Sequence, residues 1–79
     1  MSNVDLLRKT FAESLGVKEE AVHERLEYNT IPEWDSVAHM VLVNAIEGRF
    51  GIMLDTDDIL GMSSFGKALE ILKKYDVEA

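Results

Sequence analysis

Residues 32–40 read PEWDSVAHM, and the fold is decided by how this stretch is read. Asp35 is a residue type that caps helices, and apolar residues at helical spacing begin immediately after it. The stretch therefore predicts a helix that opens at Ser36, with the Asp35 carboxylate accepting from the backbone amide of Val37 or Ala38. Ser36 then occupies the first helical position with its hydroxyl unused. The apolar run continues to Phe50, and Gly51 followed by Ile52 has the form of a glycine stop with its apolar companion. A hydroxyl left unused on a rigid helix end is easy for another protein to reach.

Working outward, the same periodicity recurs on both sides. Upstream, Val4, Leu7, Phe11 and Leu15 form one stripe, with Ser2 as its cap and Gly16 and Val17 as its stop, which predicts a helix over 3–15. The connection from Gly16 to Trp34 is long for a compact helical domain, and such length calls for a function or for local structure. EEAVHERL predicts a short helix inside it, with Val22 and Leu26 facing inward, and Pro32 aims the chain into the next helix. Downstream, TDDILGM offers Thr56 or Asp55 as the cap of a turn or two. A last helix begins after Ser63 or Ser64 and carries Phe65, Leu69, Ile71 and Leu72 inward, with Gly66 as a tolerated flaw. No internal repeat, low-complexity tract or linker interrupts the chain. The expected architecture is all-α: a four-helix bundle in a single domain over 1–79, with a long first connection and a short third helix.

The chain has 79 residues and no cysteine, which removes a disulfide framework, thiolate metal sites and cysteine nucleophiles. Fifteen acidic residues stand against eight Lys and Arg, for a formal net charge of -7. Such an excess repels phosphate backbones, so nucleic acid is not an expected partner, whereas basic surfaces on other proteins are. No apolar run approaches the roughly 20 residues of a membrane span, and MSNVDLLRK lacks a signal-peptide layout. The expectation is a soluble, cytoplasmic monomer.

Reactive chemistry is sparse. The two histidines, His23 and His39, do not form a pair at helical metal-ligand spacing, and no metal site is expected. A hydrolase built on Ser36 would need a G-x-S-x-G elbow and a scaffold that this chain lacks. DTDDILGM crowds Asp55, Asp57 and Asp58 together, but a calcium loop wants Gly and Glu where Leu60 and Gly66 stand. Those acids fit a short helix N-terminus better. Ser36 has no evident base beside it, so it makes better sense as a substrate than as a nucleophile of the protein's own. A helix N-terminus favours a phosphate, although the Asp35 carboxylate partly opposes one. As an isolated dipeptide, Asp35-Ser36 would be read as a cap followed by a polar first-turn residue.

The dipeptide is not isolated. The order of elements over essentially all 79 residues resembles an acyl carrier protein: an amphipathic first helix, a long connection, and D-S-V opening an apolar second helix that ends at Phe50 and Gly51. A short acidic third helix follows, and the fourth is entered through MSSFGKALEIL. The resemblance implies that Ser36 carries 4'-phosphopantetheine, moved from coenzyme A by a phosphopantetheinyl transferase, with Asp35 as motif support. It implies no catalysis by the domain, which would present an acyl or aminoacyl thioester to ligases, synthases or acyltransferases with basic or apolar docking surfaces. Glu33 and Trp34 stand where carriers of primary fatty acid synthesis usually have a glycine and a small residue. Val41, Gly48 and Arg49 stand where acids are common in those carriers. WDS followed by a histidine looks more like stand-alone carriers of specialised pathways, ahead of a peptidyl or D-alanyl carrier. The competing class is an unmodified acidic adaptor that binds partners through its second helix.

Two expectations concern the surroundings of Ser36. At about 100° per residue from Ser36, Leu42, Ile46 and Phe50 share one stripe with Val43 close by, and these are expected in the core. Val37, Met40, Val41 and Asn44 fall on the other side and, with Glu47, form the expected partner-binding face, unless the long connection folds over part of it. Trp34, the one tryptophan, either contacts the attached group or is buried as a lid on the core.

Overall fold

A computed structural model describes residues 2–75 and Val77. Its described residues form four α-helices and one 3-10 turn: α1 (Asn3–Leu15), the turn Glu19–Ala21, α2 (Ser36–Phe50), α3 (Thr56–Gly61) and α4 (Phe65–Lys74). No strand occurs among them; Glu27 and Ser64 make an isolated antiparallel bridge.

Each α-helix opens on a side-chain cap. The Ser2 hydroxyl accepts from Asp5 N–H at 3.2 Å, Asp35 from Ala38 at 2.9 Å, Asp55 from Asp58 at 2.9 Å and Ser64 from Lys67 at 3.0 Å. Of the alternatives open in the sequence, the structure selects Ala38 as the amide taken by Asp35, Asp55 over Thr56, and Ser64 over Ser63. α1 and α2 stop at Gly16 and Gly51, whose φ values of 70° and 64° lie in the left-handed region that costs a residue with a Cβ about 1–2 kcal/mol.

The core is built from Leu7, Phe11 and Leu15 of α1, Leu42, Val43 and Ile46 of α2, and Phe65, Ala68 and Leu72 of α4. Phe11 meets the ring edges of Trp34 at 5.4 Å and Phe65 at 5.1 Å, geometry that adds about 0.5–1.5 kcal/mol per pair beyond burial. Phe50, expected in the core, is only partly buried because it lies at the end of α2. In α4 the buried stripe is Phe65, Ala68 and Leu72, with Leu69 and Ile71 partly covered.

The long connection keeps Val22 and Leu26 buried as expected, but its local structure is one 3-10 turn instead of a helix over EEAVHERL. Tertiary hydrogen bonds take the place of helical ones. Arg8 Nε donates to the Val22 carbonyl at 3.0 Å, with its guanidinium 5.5 Å from the centre of the Phe65 ring. Farther along, Phe65 N–H donates to Leu26 O at 3.0 Å and Tyr28 N–H to Ser63 O at 2.8 Å. The connection is thus stitched to the link between α3 and α4, which brings Tyr28 in front of the start of α2.

α2 is tied to α1 by Arg49, which donates to Thr10 Oγ1 at 3.2 Å and pairs with Glu13. The short α3 is held differently. Asp58 is its buried residue, 7% exposed, and its carboxylate accepts from Lys74 at 2.8 Å and Tyr75 at 2.5 Å. No helix among the described residues is long and apolar enough to cross a membrane.

Candidate functional site at the start of α2

Ser36 is exposed at the first position of α2, where the Asp35 cap and the following helical turn fix its backbone. Its hydroxyl is not unused, and the sequence expectation is corrected on this point. Tyr28, eight residues upstream, places its phenol oxygen 3.0 Å from Ser36 Oγ. Nothing in the spacing of these two residues announces the pair, because it depends on the hydrogen bond between Tyr28 N–H and Ser63 O.

Behind Ser36 lies a polar relay. Trp34 is fully buried, which decides for the lid on the core, and its indole Nε1–H donates to His39 Nδ1 at 3.0 Å. The other ring nitrogen, His39 Nε2, lies 2.8 Å from the Ile59 carbonyl. An indole N–H can only donate and a carbonyl can only accept, so His39 is the neutral tautomer with its proton on Nε2. One side chain thereby joins the buried tryptophan to α3. Sequence reasoning left His39 as a lone histidine, and its role requires two partners distant from each other in the chain.

Between α2 and α3 opens a cleft of ≈ 310 Å³. His39 and Met40 of α2 line it with Ile59 and Leu60 of α3 and Met62 and Ser63 beyond; Tyr28 and Ser36 complete the lining. Its volume is at the lower end of the range for small-molecule pockets, and most of its lining carbons are apolar. Of these residues, the sequence pointed to Ser36 and Met40. Ile59 and Leu60 were legible only as part of the short third helix.

The expected partner-binding face is uncovered. Val37 is 75% exposed, Met40 48% and Val41 50%, Asn44 is also exposed, and Leu60 of α3 adds a further side chain at 76%. The connection from Gly16 to Trp34 does not close over them. Glu47 is placed differently: it is half-buried, and Oε2 accepts from Leu54 N–H at 2.9 Å. The left-handed turn at Gly51 brings residues 52–54 back past the end of α2, and the Glu47 carboxylate holds that turn in place.

The remaining titratable cluster is centred on Asp58, the residue of α3 that precedes the His39 contact at Ile59. Hydrogen bonds from Lys74 and then Tyr75 hold the Asp58 carboxyl below its ordinary value. The bond to Asp58 raises Lys74 and Tyr75 above theirs. Among the described residues, no group of three or more His, Asp or Glu is arranged to hold a metal ion. In comparisons with protein-family models, curated proteins and solved structures, the chain matches none.

Proposed function

We propose that this chain is a carrier protein of the acyl-carrier type, with its four helices arranged as in that family and Ser36 as the attachment serine for 4'-phosphopantetheine. The observation that carries the reading is an exposed serine hydroxyl, rigidly placed on the first turn of α2, on the lining of an apolar cleft. The site fits the group. Ser36 Oγ is bonded to another exposed hydroxyl and not to a base, so a second enzyme can reach it without opening the core. Asp35 is occupied by the Ala38 amide and serves as the cap, a role that keeps the turn in shape.

In this reading, the chain is the substrate of a phosphopantetheinyl transferase. Ser36 Oγ forms a bond to the phosphorus of coenzyme A that bears the pantetheine; the bond to the second phosphate breaks, 3',5'-adenosine diphosphate leaves, and the serine proton passes to the transferase. The arm supplies a terminal thiol that holds an acyl or aminoacyl group as a thioester. The chain's own residues position the arm, with Met40, Ile59 and Leu60 offering it an apolar surface. Val37, Met40, Val41 and Asn44 face outward beside it as the surface for ligases, synthases or acyltransferases.

The test is intact mass after incubation with coenzyme A and a broad-specificity transferase. One arm per chain is expected on the wild type and none on Ser36→Ala. An unmodified wild type, or an arm on Ser14, Ser63 or Ser64, would refute the reading and leave the acidic adaptor, for which the uncovered Val37, Met40 and Val41 already provide a binding surface.

A further inference from the structure

Tyr28 belongs to none of the motifs that single out Ser36, yet it is the side chain in contact with the Ser36 hydroxyl. Its position is determined from several directions. The backbone N–H is bonded to Ser63 O at 2.8 Å, and the ring stands edge-on to Trp34 at 6.1 Å and to His39 at 5.3 Å. A phenol so held cannot easily turn away when the serine changes.

The geometry points to Tyr28 as the positioning residue for the root of the arm, donating its phenolic hydrogen to the phosphate on Ser36; this inference rests on the carrier reading. In the unmodified chain either hydroxyl can donate to the other. Once Ser36 Oγ is esterified it has no hydrogen, so Tyr28 must become the donor. The anionic oxygens on the phosphorus attached to Ser36 Oγ are far better acceptors than the ester oxygen itself. Because Tyr28, Ser36 and the cleft share one lining, a bond from this phenol holds the phosphate on the cleft side of α2 instead of leaving it free in solvent.

Phosphorus NMR and tyrosine ring resonances test the role without any partner enzyme. Wild type and Tyr28→Phe are both loaded from coenzyme A, and intact mass first establishes one arm per chain. In the wild type the phosphodiester resonance should differ between folded and urea-unfolded protein, and Tyr28→Phe should lose most of that difference. Attachment should also shift the ring resonances of Tyr28 in the wild type while leaving in place those of Tyr75, which bonds Asp58 and does not line the cleft; this second measurement decides the matter if Tyr28→Phe does not fold. If neither protein accepts an arm, the carrier reading itself fails. If both are fully loaded yet show the same phosphorus resonance, or if the Tyr28 ring does not respond, the role of Tyr28 is overturned and the carrier reading stands.

Discussion

Single side chains around Ser36 differ in whether their task is structural or functional, and substitution separates the two. His39 satisfies two groups at once, the buried Trp34 indole N–H and the Ile59 carbonyl. His39→Leu leaves a buried donor unpaired, which costs about 1–3 kcal/mol, and urea unfolding should show a loss of that size. Long-range proton–nitrogen correlation should place the imidazole proton of the wild type on Nε2; a proton on Nδ1 would contradict the relay. Ser36→Ala removes one exposed hydroxyl contact, so its unfolding free energy should stay within about 0.5 kcal/mol of wild type, while on the carrier reading attachment is abolished. Asp35 was legible at this scale because capping is local chemistry. Tyr28 and the bonding of His39 were not, since each depends on a partner delivered by another part of the chain.

At the scale of the element, α2 carries apolar residues on more than one face, and its neighbours decide which of them enter the core. The stripe packed on those neighbours holds Leu42, Val43 and Ile46, which are buried, whereas Val37, Met40 and Val41 on the other side are not. Leu42→Ala should therefore cost about 2–5 kcal/mol, a large share of the roughly 5–15 kcal/mol available to a domain. Val41→Asp, one residue away, should change stability by no more than about 0.5 kcal/mol. On the carrier reading proposed above, it should nevertheless slow acyl transfer from the loaded protein to a partner synthase or ligase, because it sets a charge in the apolar face. Loss of cooperative unfolding in Val41→Asp would show that this face belongs to the core. Glu47 marks where helical angle misleads: its direction is set by the returning strand of chain at Leu54 and not by α2.

For the molecule as a whole, α3 is the element whose attachment depends on polar groups. His39 bonds its Ile59 carbonyl, and the neighbouring Asp58 with Lys74 and Tyr75 ties it to the end of α4. Asp58 is held below its ordinary value of 3.8, so the folded state binds fewer protons there than the unfolded chain. Its contribution is present above that value and is lost as pH falls through the lower, folded one. Lys74 and Tyr75 are raised above 10.5 and 10.0, so their contributions are present below those values and are lost as pH rises through the folded ones. Stability should consequently be insensitive to this cluster from about pH 5 to 9 and fall on both sides. Asp58→Asn should flatten the acid side of the stability curve measured by urea unfolding at a series of pH values; an unchanged acid slope would show that the clasp does not link to folding.

The amino-acid sequence by itself determined the four α-helices, the caps of the first two at Ser2 and Asp35, their glycine stops, and most of their buried stripes, Leu7, Phe11 and Leu15 in α1 and Leu42, Val43 and Ile46 in α2. These follow from interactions within a few residues and from a periodicity that any amphipathic helix must obey. It also singled out Ser36, through the resemblance of the whole order of elements around Asp35-Ser36 to a carrier protein and not through the dipeptide alone. Tertiary structure decided what surrounds that serine. The connection holds a 3-10 turn, and beyond it Val22, Leu26 and Tyr28 find backbone partners in Arg8, Phe65 and Ser63, all remote in the chain. That same stitching sets Tyr28 on Ser36, and the His39 bridge to Ile59 brings α3 across from Met40 to form the cleft. Such pairings join residues remote in the chain, and their register is set by how the whole core packs rather than by the composition of any one segment.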